Sequence, residues 1–367
     1  MRRVAFITNL CPHYRRPLFE LLAERFDVDF YFHSDGSESY LSREMRTGSE
    51  YGVFDTVELR RMKIAGQPIL PGLAQRLTPK RYDAVVKCLN GRLMVPFVYG
   101  LAKIRGLPFV LWTGMWHHPQ TFAHVLTKPI TERVYRGADA VVVYGEHVKR
   151  FLVASGVRPE EVFVAGQAVE ASRFAGVEGV TSDEARALYI GQLEPRKGLD
   201  DLLEALRLIR DVPLQLRLVG SGSLEDELLA AATRDPRVEL VGYVPQDSLP
   251  RELAQARCLV LPSVTTERHR EPWGLVVNEA MSAGIPVIAT DAVGAAAGGL
   301  VVDGRNGLVV RERDSTALAH ALRGLAADAE RARRLGAQAR EDVTRFSYQA
   351  MAEAFELAVE RAIQVRR

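Results

Sequence analysis

Short runs of β-branched and aromatic residues, each followed by a helical pattern or a glycine-rich loop, recur along the whole chain. This alternation constrains the fold more than any other feature. Strands separated by helical crossovers pair in parallel, because each crossover brings the chain back to start again from the same end of the sheet. The first series reads VAFITN (4–9), VDFYFH (28–33), AVVKC (84–88), PFVLWT (108–113), AVVVYG (140–145) and VFVAG (162–166). A second series restarts at ALYIGQL (187–193) and continues through LQLRLVG (214–220), VELVGY (238–243), CLVLPS (258–263), PVIAT (286–290) and GLVV (307–310). Two such series predict an α/β chain of two Rossmann-like domains, and 367 residues are enough for two cores. The expected division is a first domain over 1–168, a small polar linker over 169–185, and a second domain over 186–346. The tail, about 347–367, repeats Met351, Phe355, Leu357 and Ile363 at roughly helical spacing and reads as one amphipathic helix.

Composition excludes several classes. At 47% hydrophobic and 26% charged the chain is globular, not disordered. It holds no apolar run of the length a membrane helix needs. Its start, MRRVAFITN, lacks a small-residue cleavage site and reads as a first strand, not a signal peptide. Three scattered cysteines make neither a disulfide framework nor a zinc site, and suit a reduced cytoplasmic setting. The net charge of +2 hides an asymmetry, because residues 1–168 carry 23 Lys and Arg against 16 Asp and Glu. That half can meet an anionic lipid surface, which points to a peripheral position on the inner face of a membrane. Leu318–Arg340, rich in Ala and Arg, reads as one solvated helix, and no nucleic-acid partner is expected.

The stretch Glu271-Pro-Trp-Gly-Leu-Val-Val-Asn-Glu279 carries the most chemistry. Pro286 after Gly284 marks a helix stop, so a helix should run from Leu275 to Ala283. Gly274 at its start lets backbone approach a ligand where free amides and the dipole favour a phosphate. Glu271 before it and Glu279 within its second turn are placed to accept hydrogen bonds from hydroxyls. That combination suits a nucleotide sugar, although read alone the two residues could be a helix cap and a surface carboxylate. Gly191-Gln-Leu-Glu-Pro-Arg196-Lys197-Gly198 sets two cations in a glycine-bounded loop after the first strand of the second series. There they can neutralise a diphosphate and stabilise it as a leaving group.

With LVGSGS (218–223) and GYVP (242–245) lying in order between them, these segments resemble family four of the glycosyltransferases, a retaining family of the GT-B fold. The resemblance covers 187–310 and is most specific at EPWGLVVNEAM, while the Tyr-Arg before Pro17-Leu-Phe in the first half looks like members that build polysaccharides and other surface glycans. It implies two Rossmann-like domains facing a central cleft, with the last helix crossing back to the first domain. It also implies a metal-independent enzyme with no cofactor, using a UDP- or GDP-sugar as donor. By similarity Glu271 contacts the donor sugar and Glu279 the ribose, while Arg196 and Lys197 hold the diphosphate. Backbone near Tyr243 and Val244 meets the base, the glycine turn at Gly220 lines the site, and amides of Gly274, Leu275 and Val276 complete the phosphate cradle. Where the family usually has Gly-Arg this chain has Gly191-Gln192, so one phosphate cation is replaced. The segment VTTERHR (264–270) is longer and more charged than usual.

In the first half, His13, Tyr14, Arg15 and Arg16 sit between the first strand and Pro17, at the strand end where a doubly wound sheet takes its ligand. They are acceptor or cleft candidates. Thr113-Gly-Met-Trp-His117-His118 follows another apolar strand, and the resemblance favours His118 over His117 as the residue near the donor sugar. Asp27-Val-Asp29 imitates a metal-binding motif of a different glycosyltransferase fold, but it opens the strand DVDFYFH, whose alternation accounts for it. The expected reaction moves a sugar to a hydroxyl of a glycan, a lipid-linked glycan or a small acceptor, with retention. The competing readings are a nucleotide-sugar epimerase and a non-catalytic nucleotide-sugar binding subunit.

Overall fold

The computed structural model describes residues 1–34, 54–179 and 184–366, and divides into two compact units. Unit 1 is Met1–Gly166 with Ser347–Arg367, and unit 2 is Gln167–Phe346. Residues 180–183 of the expected linker lie outside the description, and Ala171–Phe174 before them form a short 3₁₀ turn within unit 2.

In unit 1 the strands are β1 (Arg3–Thr8), β2 (Asp27–Phe32), β3 (Met62–Ile64), β4 (Gln67–Ile69), β5 (Ala84–Cys88), β6 (Phe109–Thr113), β7 (Ala140–Val143) and β8 (Val162–Val164). A parallel sheet is ordered β2-β1-β5-β6-β7-β8, and β3 and β4 form a separate antiparallel hairpin that no periodicity announces. The central strands are apolar on both faces because helices cover both. Strand β2 does not alternate as its sequence suggests, since every residue after Asp27 is buried. Its free edge is covered, with Phe30 N donating to Asp55 O and Val57 N to Phe30 O. Asp29 is taken up by Arg81, at 3.3 Å, and by the Tyr82 hydroxyl.

Helix Arg16–Arg25 starts with Pro17 in its first turn and buries Leu18, Phe19 and Leu22. Phe19 stacks on Phe30 at 4.9 Å and meets Phe6 at 5.1 Å. The final helix, Tyr348–Arg366, belongs to this same core. Its Phe355 lies 5.1 Å from Trp112 and 5.8 Å from Phe6, while Glu360 pairs with Arg2 and Arg366 with Asp139.

Unit 2 repeats the plan with β9 (Ala185–Ile190), β10 (Leu214–Val219), β11 (Val238–Gly242), β12 (Cys258–Leu261), β13 (Val287–Thr290) and β14 (Gly307–Val310), all parallel in the order β11-β10-β9-β12-β13-β14. The single helix read over Leu318–Arg340 is two helices, Ser315–Ala327 and Ala329–Val343. Asp328 separates them, its carboxylate accepting Arg331 N at 2.8 Å as the second helix's N-cap. Both helices bury leucines, Leu318, Leu322 and Leu325 in one and Leu335 in the other, so they pack on the sheet and are not simply solvated.

Candidate functional site

In unit 2 the order runs outward both ways from the β9–β12 pair, so the loops leaving these strands at their carboxyl ends part. The crevice between such loops is where a doubly wound sheet takes its ligand. Here they are residues 191–198 and 262–274, which carry the two charged motifs. Gly198 bends the first loop with φ +67°, and a Cβ there would fall 2.0 Å from Pro262 O. Val264 N also donates to Arg196 O at 2.9 Å, drawing the two loops together.

That approach brings the Lys197 ammonium onto Glu271 Oε2, with each side chain only 11% exposed. Ser263 Oγ donates to the same oxygen at 3.2 Å, and Thr290 Oγ1 donates to Ser263 O at 2.5 Å. Burial alone would raise the Glu271 pKa. The charge and hydrogen bond of Lys197, with His269 and Arg196 beyond, hold it below the usual carboxylate value. Glu271 is therefore an ionised carboxylate that can only accept hydrogen bonds.

Helix Leu275–Ser282 begins immediately after, with Gly274 as N-cap at φ +92° and no side chain capping it. A Cβ on Gly274 would sit 2.6 Å from Leu261 Cδ2, which is why glycine stands here. The first amides of such a helix have no intrahelical acceptor. Asn278 fixes the helix to its loop, accepting Trp273 Nε1 at 2.7 Å and donating to Gln167 O at 2.7 Å. Glu279 follows it in the second turn and is largely buried.

Gln192 accepts a hydrogen bond on Oε1 from the Arg196 guanidinium, while its carbonyl accepts the Tyr189 hydroxyl at 2.7 Å. The residue standing in for an arginine thus holds one. Gly220, at φ +143°, presses so closely on Gly191 that a Cβ would fall 1.8 Å from Gly191 O. After β11, Tyr243 is exposed beside half-buried Val244. The charged segment 264–270 makes a tight turn, with Thr266 N donating to His269 O and His269 N to Thr266 Oγ1. Thr265 ties it to Glu312 through N at 2.5 Å and Oγ1 at 2.8 Å.

Unit 1 has its own reversal of order, between β1 and β5, and its crevice holds residues that sequence reasoning missed. Lys87 at the end of β5 is wholly buried, which lowers its pKa to about 7. Its Nζ donates to Cys88 O at 2.7 Å, Asn90 O at 2.9 Å and Asn90 Oδ1 at 2.7 Å. Asn90 Nδ2 donates to Thr8 Oγ1 at 3.0 Å and Asn9 Oδ1 at 2.9 Å, and His33 Nε2 lies 3.0 Å from Asn90 Oδ1. Burial, then Lys87, pushes the His33 pKa down to about 3. The one available signal was a lysine inside the otherwise apolar strand AVVKC.

The other candidates of unit 1 have partners of their own. Arg15 is 7% exposed, with its guanidinium 4.7 Å from the Trp112 ring, 5.3 Å from Tyr14 and 5.4 Å from Tyr144. It is held in an aromatic cage and is not a surface cation. Arg16 pairs with Glu20 at 2.9 Å, and His13 meets Tyr14 edge to face at 5.4 Å. His118 packs against Tyr135 and Phe151 with Glu132 3.9 Å away, and burial lowers its pKa. His117 is half-buried beside it. Among the described residues no cluster of three or more metal-ligating side chains occurs, and no helix is long and apolar enough to cross a membrane.

Two parallel Rossmann-like units with a crevice at each reversal of strand order define the GT-B architecture. A solved structure of this kind, Anabaena HepE in complex with UDP, superposes with a TM-score of 0.77 over 97% of this chain and 98% of that one, at 20% identity. Residues 184–328 match the family model of the glycosyl transferases, group 1, and through them the second unit belongs to that family. Glycogen synthase of Mycobacterium tuberculosis is 34% identical over 202 residues, 53% of this chain and 47% of that protein. O-antigen chain mannosyltransferase B of Escherichia coli is 37% identical over 156 residues, 40% of this chain and 38% of that protein. The matches thus span less than half the length of these two relatives.

Proposed function

We propose that the protein is a retaining glycosyltransferase that moves a sugar from a UDP- or GDP-sugar to a hydroxyl of a glycan or lipid-linked glycan precursor, without a metal, on the inner face of a membrane. The observation that carries the reading is the Lys197–Glu271 pair at the strand-order reversal of the unit that matches the group 1 model. Glu271, kept ionised, accepts hydrogen bonds from donor-sugar hydroxyls, and Glu279 accepts those of the ribose. Lys197, Arg196 held by Gln192, and the amides at Gly274, Leu275 and Val276 receive the diphosphate. Backbone near Tyr243 and Val244, with the Gly220 turn, accommodates the base. In the step itself the bond between the anomeric carbon and the diphosphate oxygen breaks, its electron pair leaving with the diphosphate. The acceptor oxygen bonds to the same face of the anomeric carbon, and its proton passes to the departing diphosphate. The cations and helix amides stabilise the charge that develops there. The likeness to a structure holding UDP supports a nucleotide donor.

The test is incubation with a panel of UDP- and GDP-sugars in the presence of a chelator, following transfer, epimer formation and thermal stabilisation separately. A bound donor raises the melting temperature by mass action. Transfer with retained anomeric configuration is expected. Epimer formation alone, or stabilisation without turnover, would replace the reading with an isomerase or a binding subunit. Transfer unchanged in both Glu271→Ala and Lys197→Ala would refute the site.

A further inference from the structure

Four of the large apolar side chains most open to solvent lie on one helix of unit 1, Phe122–Gly137. Phe122 is 80% exposed, Leu126 63%, Val125 56% and Ile130 50%. At 3.6 residues per turn these four share a sector about 140° wide with Pro129, Arg133 and Arg136, while Val134 and Tyr135 on the other side are buried. One face is therefore apolar from its first turn into its third and basic toward its end. Pro129, Ile130, Arg133, Arg136 and Gly137 line a surface hollow of about 510 Å³ at the basic end. Lys128, outside that sector, is a third cation of the helix, and the helix's one carboxylate, Glu132, lies 3.7 Å from Lys128 and 3.5 Å from Arg136.

We infer that this face docks the protein on a bilayer rich in anionic phospholipid, with the apolar side chains among the acyl boundary and the arginines at the phosphates. Lone exposed apolar residues need no explanation, but a cluster of four on one helix face marks an interaction surface. The charges choose the occupant. A second copy of the chain related by a twofold axis would set these cations against themselves. An anionic lipid surface accepts both halves of the face, the cations by charge and the apolar side chains by burial. The excess of 23 basic over 16 acidic residues in 1–168 acts in the same sense. The inference deepens the membrane part of the proposed function by naming the face responsible. It does not depend on the transfer reaction, so it can fail while the donor site stands.

The experiment is flotation of the full chain with vesicles of phosphatidylglycerol and phosphatidylcholine in equal parts, and with phosphatidylcholine alone, beside a measurement of its mass in solution. Binding to the anionic vesicles only, weakened by salt, is expected. Phe122→Ser with Leu126→Ser should lower the partition by about tenfold or more. Arg133→Glu with Arg136→Glu should lower it by roughly fivefold or more for each charge lost and abolish the preference for anionic lipid. All four positions are exposed, and unchanged melting curves would show that both variants remain folded. Equal binding to neutral vesicles, binding that neither variant weakens, or a dimer that the Phe122/Leu126 variant dissociates while vesicles go unbound would each overturn the inference.

Discussion

The two units share a doubly wound parallel sheet of six strands, in different strand orders, and fill their crevices in opposite ways. At the reversal of unit 2, between β9 and β12, a lysine is neutralised by a carboxylate, and glycine turns leave the start of a helix uncapped beside them. At the reversal of unit 1, between β1 and β5, a lysine lies against uncharged partners, two carbonyls and an asparagine side chain. A lysine in an ion pair can turn to an anionic ligand, which replaces the carboxylate as its counter-charge, while the carboxylate then takes hydrogen-bond donors in its place. A buried ammonium that ties its own loop has no such freedom. Doubly wound sheets thus hold an ion pair in one crevice and a polar lock in the other.

The largest expected effect would break this contrast at unit 2. Glu271→Gln keeps the side-chain volume but removes the charge, and should reduce sugar transfer about 100-fold or more, measured as kcat/KM with a fixed acceptor. A loss below tenfold would mean that the pair is structural like its counterpart. Gly220→Ala should destabilise unit 2 by about 1–3 kcal/mol or more, since φ +143° and the contact with Gly191 O both exclude a methyl group. Urea unfolding of the variant would measure this.

Lys87→Met should cost about 1–3 kcal/mol by leaving the carbonyls of Cys88 and Asn90 without a donor. The UDP-induced shift in melting temperature should persist, and its disappearance would place Lys87 in donor binding. The same lysine gives a pH signature. Its folded pKa of about 7 lies below the ordinary 10.5, so between these values the unfolded chain binds more protons. Lys87 therefore contributes an increase of stability with rising pH over that window, and the penalty is greatest below about pH 7. Lys87→Met should flatten the slope of unfolding free energy in that range; an unchanged slope would mean the ammonium is not buried in solution. Smallest is Asp328→Ala, which removes an N-cap in unit 2 remote from the ion pair. It should cost about 1 kcal/mol and leave transfer unchanged.

The sequence by itself determined the two series of strands and the tail helix, because periodicity is local and survives any arrangement of neighbours. It also singled out Arg196, Lys197, Glu271, Gly274 and Glu279 as candidates, since these fall in two contiguous segments, one after β9 and one between β12 and β13. Tertiary structure alone decided what those residues do to one another. Lys197 and Glu271 are 74 positions apart, and meet because parallel pairing sets β9 beside β12. The same holds more strongly in unit 1. Its lock draws Thr8 and Asn9, His33, and Lys87 and Asn90 from the ends of β1, β2 and β5, so no one contiguous motif holds it. Arg15, a cleft candidate by its place after the first strand, is enclosed by Trp112 and Tyr144, which only the packed sheet supplies. Whether a buried charge meets a counter-charge or only dipoles depends on the partners around it, and packing fixes them.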